Sequence, residues 1–274
     1  MSRESASGLE LVGADFARPG AAGDGSSARV RVAAAGDIHW RAQDGDRLRE
    51  GFAALAGRVD LVLLAGDLTT HGEPEQASAL AGGAREAGCP VIAVLGNHDY
   101  HVGHAGELTQ ALRDGGVTVL QRGWTTLELA GVEVGVVGTK GFVGGFSGSH
   151  VPDFGEPLLR AIYADTSAEV QALDDGLRAI ELCPARLVLL HYAPSETTIV
   201  GEPPGIWNML GSDRLSAPIR EHEPSLVVHG HAHAGTFEGA IGAVPVRNVS
   251  RPVLGRDFWI FECGAGQLER PQIH

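Results

Sequence analysis

VDLVLLAGD, residues 59–67, decides how this chain folds. Val59 to Ala65 is apolar except for Asp60, and the run stops at Gly66-Asp67. A strand apolar on both faces belongs inside a parallel sheet covered on both sides, because only there does neither face meet water. Arg29–Gly36 before it and Val91–Leu95 after it read the same way, and they run into Asp37-Ile38-His39 and Gly96-Asn97-His98-Asp99. Asp37 to Asp67 and Asp67 to Asn97 are each 30 residues apart, about the length of one strand–helix–strand unit. Parallel strands at that spacing deliver their C-terminal tips to one sheet edge, where ligands of open α/β sheets bind.

Between those strands the period changes. Asp46–Gly57 places Leu48, Phe52 and Leu55 on one helical face. Glu73–Ala87 is Ala-rich, with Gly88 where a helix stop belongs, and Ala105–Asp114 is a third helix. Val117–Leu120, Thr125–Leu129 and Val132–Gly138 are short strands with glycine-containing turns, which predicts an antiparallel meander. A Gly-rich loop, Gly141–Ser149, precedes a helix over Ser167–Leu182. Ala185–His191 is a hydrophobic strand ending at His191-Tyr192, Asp213–Glu221 a helix, and Leu226–His229 a strand entering Gly230-His231-Ala232-His233. Phe237–Arg247 and Phe258–Phe261 add short strands. The expected fold is α/β: two mixed β-sheets face to face with helices outside, as one domain over residues 29–274.

Composition narrows the class. Hydrophobic residues at 43% and charged residues at 20% fit a soluble globular chain. The net charge of −13 leaves no diffuse basic surface to track a nucleic-acid backbone, which counts against a nucleic-acid partner. Cys89, Cys183 and Cys263 are too few and too scattered for a disulfide framework, so a cytoplasmic setting is expected. Residues 1–28 are rich in Gly, Ala, Ser and Asp and read as a flexible tail rather than a signal peptide. No run approaches the ~20 apolar residues that span a bilayer.

Five polar blocks therefore stand at strand ends, together supplying three Asp, one Asn and five His. Singly, each has a plain structural use. Asp37, Asp67, Asn97 and Asp99 are all good helix caps, and His191, His229 or His231 can be a satisfied interior histidine. Unrelated structural uses do not explain five such blocks in one order. Together they offer enough oxygen and imidazole ligands for two adjacent metal ions.

The ordered set DxH, GD, GNHD, an isolated His and GHxH, spanning Asp37 to His233, resembles the calcineurin-like metallophosphoesterases. That resemblance implies a four-layer αββα sandwich. It implies Asp37, His39, Asp67 and His233 as ligands of one metal, and Asp67, Asn97, His191 and His231 as ligands of the other, with Asp67 bridging. Hard oxygens with borderline imidazoles suit Mn, Fe, Zn or Co as two divalent or trivalent ions. Water held between two such cations becomes a hydroxide near neutral pH, ready to attack phosphorus. His98, adjacent to a ligand, matches the residue that contacts phosphoryl oxygens or protonates the leaving group.

Departures from the family pattern bear on substrate. The protein-phosphatase branch has an Asp three residues after the bridging Asp, and here that position is Thr70. Neither Gly66–Gly72 nor Leu95–Asp99 contains the arginines with which that branch grips a phosphoprotein. A dianionic monoester would then meet only metals and histidines, whereas a diester asks for less neutralisation. The expectation is a phosphodiesterase acting on a small-molecule phosphate ester, with a phosphomonoesterase as the alternative. A non-catalytic binding module on the same fold is the other class, but a module is free to lose ligands and none is missing here. His71, His101, His104 and His150, with Trp207, Phe142 and Phe146, are further candidates for lining a pocket. Asn248-Val249-Ser250 is a glycosylation sequon with nothing else pointing to secretion.

Overall fold

A computed structural model describes residues 29–41 and 45–264, and the backbone of 267–269; the tail expected over residues 1–28 lies outside them. The strands are β1 (Arg29–Ala35), β2 (Leu61–Ala65), β3 (Val91–Val94), β4 (Val117–Val119), β5 (Gly123–Leu129), β6 (Val132–Gly138), β7 (Gly145–Phe146), β8 (Ser149–His150), β9 (Ala185–Leu189), β10 (Leu226–His229), β11 (Glu238–Ile241), β12 (Val244–Asn248), β13 (Trp259–Gly264) and β14 (Gln267–Glu269). The helices are α1 (Gly45–Ala53), α2 (Pro74–Ala84), α3 (Ala105–Asp114), α4 (Pro157–Ala179), α5 (Trp207–Leu210), α6 (Ser216–His222) and α7 (Arg251–Leu254).

Two six-stranded mixed sheets result, ordered β14-β13-β1-β2-β3-β4 and β11-β12-β10-β9-β6-β5. Each has four parallel strands in a row: β1 to β4 in the first, with antiparallel β13 and β14 on one side, and β12-β10-β9-β6 in the second, flanked by antiparallel β11 and β5. Side-chain alternation sorts the layers. In β2, Leu61, Leu63 and Ala65 face the second sheet, packing with residues such as Val134, Val136, Leu187, Leu189 and Val228. Val62 and Leu64 point the other way, into a layer with Leu48, Phe52, Leu80, Leu108 and Leu112 of α1, α2 and α3. Val188 in β9 and Val227 in β10 likewise face Leu173, Leu177 and Ile219 of α4 and α6. This is the expected αββα sandwich, and both faces of the central strands are dry.

Three details differ from the sequence reading. Val117–Val119 does not join a meander: β4 pairs in parallel with β3 at the edge of the first sheet, and of the three strands expected there β5 and β6 alone form a hairpin. Helix α4 begins at Pro157, ten residues before the predicted start. Its first turns are largely exposed, Leu158 at 76%, so they carry no clear apolar periodicity. Helix α2 stops at Ala84 and tightens into a 3₁₀ turn over Arg85–Ala87, with Gly88 at φ 65° as the expected terminator.

Candidate metal centre

The two sheets are stitched together at the carboxyl ends of their central strands. Gly36 N donates to Val249 O at 2.7 Å, and Val249 N donates to His229 O at 2.7 Å. Beyond β1 the pairing continues into the loops, with Asp37 N to Gly66 O at 3.0 Å and His39 N to Asp67 O at 2.9 Å. The polar blocks therefore meet at one seam.

Backbone conformation aims them. Asp37, His39, Asp67 and His231 all have positive φ, between 48° and 70°, a region costly for residues with a Cβ. Adjacent glycines admit the resulting close approaches. A Cβ on Gly96 would lie 2.1 Å from Asp67 Oδ1, and one on Gly66 would lie 2.5 Å from His191 Nδ1.

Three overlapping groups of donor atoms, each close enough to hold a metal ion, follow: Asp37, His39 and His233; His39, Asp67 and His98; Asp67, His191 and His231. Asp67 belongs to two of them. Its Oδ1 lies 3.4 Å from His191 Nε2 and accepts from His98 N at 2.8 Å, while its Oδ2 lies 3.8 Å from His39 Nε2. Asn97 joins through its Oδ1, 2.9 Å from His191 Nε2. All seven residues nominated as ligands are thus brought together, with His98 at their rim.

The donor set fits cations. His191 Nδ1 lies 2.9 Å from the Ala65 carbonyl, which can only accept, so Nδ1 carries a hydrogen and Nε2 is the nitrogen whose lone pair a metal would take. That lone pair faces the lone pairs of Asn97 Oδ1 and Asp67 Oδ1. Converging acceptors of this kind are stabilised by a positive ion among them. His231 Nε2 is engaged by Met209 O at 3.2 Å, which leaves its Nδ1 as the other donor.

The electrostatics agree. Burial alone would raise the Asp37 carboxyl, yet the His233 hydrogen bond, the fields of His191 and His233 and the His231 amide hold it at about 2. Asp37 is therefore an anion at any working pH. His233 is raised chiefly by its 2.9 Å hydrogen bond to Asp37. Burial lowers His39, and burial with the field of His191 lowers His231 to about 3, so both are neutral, ligand-ready imidazoles.

His98 Nδ1 lies 2.9 Å from the backbone carbonyl of Thr70. The position where the protein-phosphatase branch has an Asp thus supplies a main-chain acceptor, which the side-chain type could not reveal. Thr70 is itself pinned by its hydroxyl donating to His39 O and Trp40 O at 3.0 and 3.1 Å. His98 Nε2 is left facing Asp67 Oδ2 at 4.0 Å.

Other nominated residues are placed differently. Asp99 is not a helix cap: fully buried, it accepts from Leu68 N, Thr69 N, Thr69 Oγ1 and Gly96 N, tying the loops after β2 and β3 together. Asn248 of the sequon is also fully buried, its Nδ2 donating to Ala232 O at 2.7 Å, so it supports the GHAH loop and offers no acceptor for a glycan. His229 is an interior histidine, bonded to Thr198 Oγ1 at 2.7 Å and lowered to about 4 by burial. His150 lies 2.8 Å from Asp213, His71 and His101 stack edge to face at 5.8 Å, and His104 precedes α3. Phe146 is core, Trp207 packs beside it, and Phe142 receives Lys140 Nζ over its ring at 4.0 Å.

Sequence reasoning missed the arginines. A cavity of about 380 Å³ sharing Asp37 and His39 with the centre is lined by Arg41, Arg47, Arg251 and Arg256. The expectation that substrate meets only metals and histidines is corrected accordingly. These residues come from distant segments, two of them beyond the last motif, and only the fold gathers them.

With this geometry the class is defined. The chain belongs to the calcineurin-like phosphoesterases: the family's sequence model matches residues 30–235, the segment that carries the whole centre. No curated protein matches the chain. Among solved structures it is similar to a putative 5′-nucleotidase from Staphylococcus aureus (TM-score 0.56, 13% identity), covering 88% of this chain and 53% of that one. It is also similar to the TT1561 protein of Thermus thermophilus (TM-score 0.53, 19% identity, 84% and 97% covered). A third is GAP50, described as the anchor in the inner membrane complex of Plasmodium (TM-score 0.54, 12% identity, 86% and 81% covered). At these identities the likeness is one of fold. Among the described residues no helix is long and apolar enough to cross a membrane.

Proposed function

We propose that this chain is a binuclear-metal phosphoesterase that hydrolyses a small-molecule phosphodiester. The observation carrying the reading is the convergence of Asp37, His39, Asp67, Asn97, His191, His231 and His233 around one seam, with His98 held at its rim by the Thr70 carbonyl. In this reading Asp37, His39 and His233 hold one ion, Asn97, His191 and His231 the other, and Asp67 serves both. Bound there, the two ions supply positive charge for the phosphoryl oxygens and acidify water. Asn97 contributes an oxygen without charge, so two carboxylates do not cancel the field of two cations. Hydrolysis forms one P–O bond from water and breaks the ester P–O bond. His98 Nε2–H, directed by the hydrogen bond at Nδ1, supplies the proton that the leaving oxygen needs. The complete ligand set supports catalysis over a binding role.

A phosphomonoesterase is the second reading, favoured by one observation: the arginines beside Asp37 and His39 would offset a monoester's second charge. Chelator-stripped protein reloaded with Mn, assayed on matched 4-nitrophenyl mono- and diesters, tests both. Restored activity with a higher kcat/KM for the diester is expected, and negligible release from phosphopeptides. Full activity without metal would remove the binuclear reading, and a clear monoester preference would transfer the enzyme to the second.

A further inference from the structure

The arginine-lined cavity shares two walls with the candidate centre, Asp37 and His39, and its remaining charge comes from Arg41, Arg47, Arg251 and Arg256. In a chain of net charge −13 this is a local reversal. Two carboxylates oppose it. Asp37 lines the cavity, and Asp257 accepts from Arg251 Nη2 at 2.8 Å and Arg47 Nη2 at 3.4 Å. Four guanidinium groups against two carboxylates leave an excess of two positive charges. Arg251 Nη1 donates to Ile38 O at 3.2 Å, and its buried Nε has no hydrogen-bond partner among the described residues. Arg256 lies over the ring of Trp259 at 4.8 Å, and among the described residues no carboxylate pairs with Arg41 or Arg256.

We propose that this groove binds a second, dianionic phosphate-type group carried on the non-leaving arm of the substrate. The inference rests on the phosphoesterase reading of the adjoining centre and names the substrate class: a phosphoester bearing a further phosphate or phosphonate. The charge excess matches a dianion, and planar guanidinium forks suit tetrahedral oxyanions. A cavity of about 380 Å³ accommodates such a group with part of the arm. Asp37 and His39 lie in both sites, so one molecule of ordinary length spans them.

The test uses three 4-nitrophenyl phosphodiesters with the same leaving group, whose other arm is a phenyl ring that is plain, carboxylated or phosphonated. With Mn-loaded wild type, kcat/KM should rise in that order, the phosphonate exceeding the plain ester by about tenfold or more. In the Arg41→Gln/Arg256→Gln double variant that ratio should fall to near one. Arg251→Gln is avoided because Arg251 also holds Ile38 O. A second readout needs neither metal nor turnover: calorimetric binding of phenylphosphonate to chelator-stripped protein. It should be measurable for wild type and at least about tenfold weaker for the double variant. Equal kcat/KM for the three esters, or equal phenylphosphonate binding by wild type and variant, would overturn the proposal. A carboxylate arm as good as the phosphonate would overturn its dianion specificity. Tighter binding of a short single-stranded oligonucleotide than of phenylphosphonate would reassign the groove to a polyanion. If no ester is hydrolysed, the phosphoesterase reading fails while the binding comparison still decides the groove.

Discussion

The two sheets bring different chemistry to the seam and fix it by different means. The first sheet supplies the oxygens, Asp37, Asp67 and Asn97, at the ends of β1, β2 and β3, with one imidazole, His39, after β1. The second supplies imidazoles, His191 after β9 and His231 and His233 after β10. Short carboxylates leave little side chain to adjust, so the backbone aims them: Asp37 and Asp67 sit at φ 56° and 48°. Such conformations cost of order 1 kcal/mol or more each and persist because the surrounding pairing holds them. Imidazoles have a second nitrogen, and a carbonyl grips it: Ala65 O for His191, Met209 O for His231. The main chain therefore places the carboxylates, whereas His191 is placed by a hydrogen bond one step behind it and His231, at φ 70°, by both.

Replacing Asp67 presses hardest on that contrast, because it is the anion that belongs to two of the three donor groups. Asp67→Asn keeps the shape and removes the charge. Bound Mn at saturation should fall well below one ion per chain, with turnover reduced more than ~100-fold, beyond what loss of a supporting group alone produces. His233→Ala, which touches only the Asp37 group, should leave about one ion bound. Metal analysis of both variants settles the point, and equal metal loss in the two would erase the distinction between shared anion and single imidazole.

His98 belongs to the first sheet yet is held as the second-sheet imidazoles are, by a carbonyl at its other nitrogen. Its proposed duty is protonation. His98→Ala should therefore retain both ions while turnover falls ~10²–10⁴-fold. The loss should shrink for esters whose leaving group is already a stable anion. Metal loss in this variant, or equal rate losses for good and poor leaving groups, would overturn that duty.

How much of this was legible depended on whether sequence neighbours made the contact. The ladder Asp37, Asp67, Asn97 could be read because each follows a doubly apolar strand, and burial of both faces permits little else there. Val117–Val119 reads as part of the wrong sheet because three alternating residues fit either edge, and tertiary packing makes the choice. Thr70 could not be read as the partner of His98, since every residue has a carbonyl and only the turn after β2 directs this one. Arg41 and Arg251 are 210 positions apart in sequence and line one cavity in space. No pattern along the chain announces that.

The smallest expected effect compares the ties behind each sheet. Asp99 gathers four donors from the loops that carry Asp67 and Asn97, at 2.7 to 3.1 Å. Glu169 of α4 does similar work behind the second sheet: buried, it accepts from Gly141 N at 3.0 Å and from Thr139 Oγ1 and Arg122. That fixes the turn whose Lys140 carbonyl receives His191 N at 3.1 Å. The two ties differ in reach. Asp99 bonds the very segments bearing the candidate ligands, whereas Glu169 acts through Lys140 before His191 is touched. An amide in either place offers one acceptor oxygen where a carboxylate offered two, so donors are stranded in both variants and both should melt at lower temperature. Mn affinity should separate them. Asp99→Asn should weaken it by ~10–100-fold, the range for groups that support ligands directly. Glu169→Gln should weaken it by less than ~10-fold, below the bottom of that range. A larger affinity loss from Glu169→Gln would show that the second sheet's imidazoles depend on α4 more than the carbonyl grip implies, and the contrast between the two edges would have to be drawn the other way.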